Sequence, residues 1–126
     1  VKHKFIKFQD YSVDFGKEAL KSLFEVEDKP TAVISGSSLI TEGILIQAQE
    51  LGLEIPQDFS LISFGNIAMS ELIEPKITYA EDMAQMIGSK AGQLLLDRME
   101  DFQKNTEEIR LTSEIKHGDS VRSLIS

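Results

Sequence analysis

An α/β fold, a parallel sheet with flanking helices, is what the sequence predicts, and three observations predict it. The stretch from Pro30 to Gly65 reads strand, loop, helix, turn, strand, which is a βαβ unit whose crossover should be right-handed. A helical pattern of apolar residues over 14–26 precedes it, and a longer one over 81–102 comes after it.

In chain order, Phe5-Ile6-Lys7-Phe8 has the makings of a short strand, and Asp10-Tyr11-Ser12 mixes turn formers with one aromatic. Phe15, Ala19, Leu23 and Val26 then recur at helical spacing, with Leu20 and Phe24 widening the stripe, until Asp28-Lys29-Pro30 ends it. Ala32-Val33-Ile34-Ser35 is an apolar run between turn formers and suits a buried parallel strand. Its length alone does not separate strand from helix; the turn and helix signals after it do. Gly36-Ser37-Ser38 supplies a turn and two candidate N-caps. Ile40, Ile44, Ala48 and Leu51 fall three or four apart on one face, with Glu42 in the first turns of that helix. Gly52 suits the left-handed position just past a helix, Pro56 prevents continuation, and Phe59 to Phe64 is the returning strand.

Beyond this unit, Asn66 to Glu74 carries Met69, Leu72 and Ile73 at the spacing of a short helix closed by Pro75, and Lys76 to Tyr79 reads as extended. Glu81 to Phe102 is the longest predicted helix, with the acidic Glu81 and Asp82 at its positive end. Its Met83, Met86 and Met99 are expected to pack in a core rather than to form a soft-metal stripe. Gly88 and Gly92 inside the pattern imply close approach to a neighbouring backbone. After a polar connection at 101–108, Glu108 to Thr112 alternates as a half-exposed strand, continuing less regularly through Ile115 to a solvated His117.

Several function classes are excluded or disfavoured. With no cysteine and only His3 and His117, far apart, neither a disulfide framework nor a zinc site is expected. Gly36-Ser37-Ser38 lacks the Gly-Lys-Ser/Thr of a phosphate loop, no Gly-x-Ser-x-Gly elbow occurs, and His117 has no carboxylate pair beside it. An enzyme is therefore the weakest reading, and no cofactor is expected. The net charge of −8 opposes binding of a polyanion, and no apolar run approaches the roughly 18 residues of a membrane span. In open α/β sheets, ligands collect outside the carboxyl ends of the strands, here Ser35 to Ser38 and Phe64 to Asn66.

The ordered series P-T-A-V, E-L-G-L, the x-P-x-D-x-S turn, Pro-x-x-Thr and a late L-L-L-D-R helix, from about Asp10 to the C-terminus, resembles the effector-binding domain of the lactose-repressor (LacI/GalR) family of bacterial transcription regulators. The resemblance implies a periplasmic-binding-protein-like fold. It makes residues 1–126 a single-domain piece, the C-terminal part of a ligand-sensing domain, with the DNA-binding headpiece and the N-terminal subdomain absent; DNA would be contacted only through that missing headpiece. It implies cytoplasmic location and a small-molecule effector held by Tyr11, Ser37, Ser38, Gly65 and Asn66, with the Tyr11 ring stacking on it. It also implies a homodimer through the outer face of the central helix, Glu42, Leu45 and Gln49, and a second cluster at Met69, Leu72 and Ile73. The packing partner of the late helix would belong to the missing subdomain, so part of its face would lie bare. A solute-binding protein of the periplasmic type shares the architecture and is the alternative. The chain departs from the family where acidic residues commonly clamp sugar hydroxyls: Ser37-Ser38 and Gly65 stand there instead. The expected effector is accordingly an anionic metabolite or a sugar derivative, or else none, with regulation by a partner protein; a neutral sugar comes third.

Overall fold

The computed structural model describes residues 5–68 and 70–125. Met69 of the expected dimer cluster and His3 lie outside them.

Helix α1 (Val13–Phe24) starts where Ser12 accepts a hydrogen bond from the Phe15 amide at 3.0 Å, satisfying one of the unpaired donors of the first turn. Its stripe Phe15, Ala19, Leu20 and Leu23 is buried. Strand β1 (Ala32–Ser35) leads into α2 (Ser38–Leu51), capped by Ser37 and ended by Gly52 at φ 67°, a left-handed conformation that a side chain would strain. Strand β2 (Ser60–Phe64) returns parallel to β1, with Val33 beside Leu61 and Ser35 beside Ser63. A single 3-10 turn (Ser70–Leu72) precedes β3 (Thr78–Ala80), which pairs parallel to β2. Helix α3 (Ala84–Glu100) comes next, and β4 (Ile115–Lys116) closes the sheet antiparallel to β3, in the order β1-β2-β3-β4. The sheet is therefore mixed rather than wholly parallel.

One core joins the two halves of the βαβ unit. Leu20, Phe59 and Leu61 are fully buried among Phe15, Val33, Ile40, Ile44 and Ala48, and Phe24 tilts onto Phe59 with ring centroids 5.1 Å apart. Alternation along the strands sends Val33 and Ser35 into this core and Ile34 the opposite way, where it stays 78% exposed. The sequence expectation of a buried β1 holds for one face of the sheet only.

Other expectations are corrected. Neither residues 5–8 nor residues 108–112 form a strand; the late segment pairs only at the two residues of β4, farther along the chain. Leu51 is exposed, since the apolar stripe of α2 leaves the core after Ala48, and no acidic residue occupies the first turn of that helix. Helix α3 buries no residue: Met86 and Met99 are exposed, and a Cβ on Gly88 or Gly92 would meet nothing within 4 Å. Its apolar pattern is real, and Met83, Ile87 and Leu94 border a groove with Phe64, Ile109 and Leu111, but nothing among the described residues buries them.

The C-terminal segment is fastened by backbone and side-chain hydrogen bonds together, with Ser120 at their centre. The Ser120 hydroxyl, fully buried, donates to the Leu61 carbonyl at 2.6 Å and accepts from the Thr78 amide at 2.8 Å, bridging β2 and β3. Gly118 is needed beside it, because a Cβ there would lie 2.2 Å from the Lys76 carbonyl oxygen.

Candidate functional site

The carboxyl ends of β1 and β2 and the amino ends of α1 and α2 meet at one edge of the fold. Two glycines make this possible. A Cβ on Gly43 would stand 2.0 Å from the Val13 carbonyl oxygen, and one on Gly16 would stand 2.3 Å from that of Ile40, so the first turns of the two helices touch backbone to backbone. The caps Ser12 and Ser37 are thereby brought to the same end of the sheet.

The polar groups there differ in how much of their hydrogen-bonding capacity is used. Ser12 accepts from Phe15 and donates to Asp10 at 2.5 Å, so its proton is spent. Ser37 accepts from the Ile40 amide at 3.2 Å, and its O–H has no acceptor among the described residues. The half-buried Ser38 and the exposed Asn66 make no side-chain hydrogen bond among the described residues, and Tyr11 is 67% exposed. Gly65 holds φ 88° and is buried, its amide donating to the Ala80 carbonyl at 2.9 Å. Ser37, Ser38, Gly65 and Asn66 thus stand just past the ends of neighbouring strands. Tyr11 precedes the cap of α1. Ser37, Ser38, Gly65 and Asn66 form one open wall, and Tyr11 adjoins the Ser12 cap at the same end of the fold.

Beneath this wall runs a feature without a contiguous sequence signature. The hydroxyls of Ser35, Thr41 and Ser63, all buried, form a chain: Ser35 contacts Thr41, Thr41 lies 2.7 Å from Ser63, and Ser63 donates to the Gly65 carbonyl at 2.9 Å. The signal that could have found it is a small hydroxyl residue on the core phase of each of three adjacent apolar elements.

On another face, Glu42, Leu45, Gln49, Leu72 and Ile73 line a single open groove of about 740 Å³ together with Ile55 and Pro75. Leu72 is 76% exposed, whereas Leu45 is half-buried against the core instead of standing outward. Among the described residues, no group of three or more His, Cys, Asp or Glu is placed to hold a metal ion, and no helix is long and apolar enough to cross a membrane.

Comparison with known proteins adds the lineage. The periplasmic binding protein-like domain family matches residues 5–121. The chain is 30% identical over 122 residues to catabolite control protein A of Priestia megaterium, covering 97% of this chain and 37% of that protein. It is 34% identical over 97 residues to the transcriptional repressor CytR of Escherichia coli K12, covering 77% of this chain and 28% of the repressor. Among solved structures, a LacI family transcriptional regulator from Enterococcus faecium with bound ribose superposes with a TM-score of 0.76 at 30% identity, over 88% of this chain and 41% of that one. The chain spans about a third of the length of the curated relatives it matches.

Proposed function

This chain belongs to the periplasmic binding protein-like domain family, in the form carried by LacI-type transcription regulators, and from that premise we propose that it is the C-terminal part of a cytoplasmic regulator's effector-sensing and dimerisation domain. The observation that carries the reading is the open wall at the ends of β1 and β2, where Tyr11, Ser37, Ser38 and Asn66 offer an aromatic face and unspent polar groups beside two helix amino ends. Such a wall is half of a cleft. The other half, and the DNA-binding headpiece, belong to the rest of the same protein.

The unspent groups favour a ligand rich in acceptors. The Ser37 O–H is still free to donate, helix amino ends carry partial positive charge, and no carboxylate stands at 37, 38 or 65 to grip vicinal hydroxyls. A phosphorylated or carboxylated sugar derivative fits better than the neutral sugar bound by the Enterococcus relative. Calorimetry on the protein carrying this chain, with ribose and ribose 5-phosphate as probes, tests it. The phosphate is expected to bind more tightly, and Tyr11→Ala or Ser38→Ala to weaken it about tenfold, the worth of roughly one good contact. Equal binding of ribose, undiminished by either change, overturns the assignment.

Dimerisation is assigned to the groove of Glu42, Leu45, Gln49, Leu72 and Ile73, with Met69 beside it in sequence. Leu45→Glu with Leu72→Glu should sediment as monomer; an unchanged dimer mass refutes the interface. DNA affinity is assigned elsewhere, given the net charge of −8. An anisotropy titration of this chain tighter than about micromolar at physiological salt would contradict that.

A further inference from the structure

The buried hydroxyl chain contains more contacts than protons. Ser35, Thr41 and Ser63 bring three hydrogens. Five contacts compete for them: Ser35 with Thr41; Thr41 with Ser63 at 2.7 Å; Ser63 with the Gly65 carbonyl at 2.9 Å; and the Ser37 carbonyl with both Thr41 at 2.9 Å and Ser35 at 3.3 Å. They cannot all be hydrogen bonds at once.

Two proton orders satisfy the chain. In the first, Ser35 donates to Thr41, Thr41 to Ser63 and Ser63 to the Gly65 carbonyl. The Ser37 carbonyl needs nothing more, because it already accepts the Thr41 amide at 3.0 Å. In the second, the direction reverses: Ser63 donates to Thr41, Thr41 to Ser35 and Ser35 to the Ser37 carbonyl, which releases the Gly65 carbonyl. Bonds aligned head to tail polarise one another, so the chain favours one direction or the other as a unit. The first order is the resting one, since Ser63 is the sole donor to the Gly65 carbonyl among the described residues.

We propose that Thr41 is a positioning residue that couples the Ser37 loop to the Gly65 loop through this reversible hydroxyl chain. The proposal rests on the reading that these two loops face an effector. A donor arriving at the Gly65 carbonyl replaces Ser63, the chain reverses, and the hold on the Ser37 carbonyl tightens. Engagement of one loop is thereby felt at the other without movement of the sheet. All three hydroxyl residues are buried, so water does not substitute for any member.

Amide hydrogen exchange on the protein carrying this chain tests this without a ligand. The reporters are the Ile40 amide, bound to the Ser37 hydroxyl, and the Gly65 amide, bound to the Ala80 carbonyl, with Leu20 in α1 as the control. Thr41→Val keeps the side-chain shape and removes the hydroxyl; it should speed exchange at Ile40 and Gly65 together, by roughly fivefold to tenfold. Thr41→Ser should restore both, and Thr41→Val with Ser63→Ala should be no faster than Thr41→Val alone. Acceleration at one loop only, multiplication of rates in the double variant, or an equal rise at Leu20 overturns the coupling. If Thr41→Val does not fold, Ser63→Ala carries the same comparison, since it cuts the chain at its next member. Because this readout needs no ligand, its failure breaks the coupling alone, whereas absence of effector heat in the unaltered protein breaks only the reading beneath it.

Discussion

Helices α1 and α3 carry the same kind of apolar periodicity and meet opposite fates. In α1 the stripe is buried against α2 and the sheet, down to 0% exposure at Leu20; in α3 every described residue keeps contact with solvent, with Leu95 62% exposed and Met99 72%. The difference teaches that a helical stripe states what a helix is able to bury, while the presence of a receiving surface decides whether it does. The apolar core of this chain therefore lies mainly in residues 12–67, with Ile77 joining it just before β3, and the stretch from β3 onward hangs on hydrogen bonding in which Ser120 takes a central part.

The contrast is broken most directly by truncating matched leucines. Leu20→Ala should cost about 3–5 kcal/mol in urea denaturation through lost burial and a residual cavity, and Phe59→Ala about as much. Leu95→Ala should stay within about 0.5 kcal/mol. Similar costs at Leu20 and Leu95 would mean that α3 is packed in solution.

Glycine replacements should differ in sign between the two regions. Gly43→Ala forces a Cβ into the Val13 carbonyl and should destabilise by about 1–3 kcal/mol, with Gly16→Ala close behind. Gly92→Ala meets open space and should raise the helicity of α3 by up to about 1 kcal/mol, read by circular dichroism. A loss of stability from Gly92→Ala would show that another backbone lies against α3 after all.

The smallest expected effect is electrostatic and sits at the end of α3. Hydrogen bonds from Gln93 first, then Lys104, hold the Asp97 carboxyl below the usual carboxylate range, and Asp97 in turn raises the Lys104 ammonium. A depressed carboxyl contributes stability above its unfolded-state pKa and loses it as pH falls through its folded value. The turn at 101–104 should therefore loosen on acidification with a midpoint below the ordinary carboxylate range, tracked through the Lys104 and Gln93 side-chain resonances, while the global unfolding midpoint moves little. A midpoint at the ordinary value would remove the contact from the solution structure.

Much of the fold was legible because its signals are local. Ser12 and Ser37 read as caps, Gly52 as a stop, and the Pro30–Gly65 unit as strand-helix-strand, since each depends on chemistry within a few residues. The strand misread at 108–112 shows the limit. Alternation was present, but β4 pairs only where Tyr79 and Ala80 have edges to offer, at Lys116 and Ile115. The site divides the same way. Its positions at 37, 38, 65 and 66 came from strand ends and from a family resemblance, whereas the chain of Ser35, Thr41 and Ser63 joins residues up to 28 positions apart and left no contiguous motif.

By itself, then, the sequence determined the central βαβ unit, its capping and its lineage, because periodicity and turn chemistry act along the chain. Only the tertiary structure decided which apolar faces found partners, that Gly16 and Gly43 mark the helix contact while Gly88 and Gly92 do not, and that three hydroxyls link two loops. Those outcomes depend on distances between segments remote in sequence, and burial and hydrogen bonding are set by what stands across the gap.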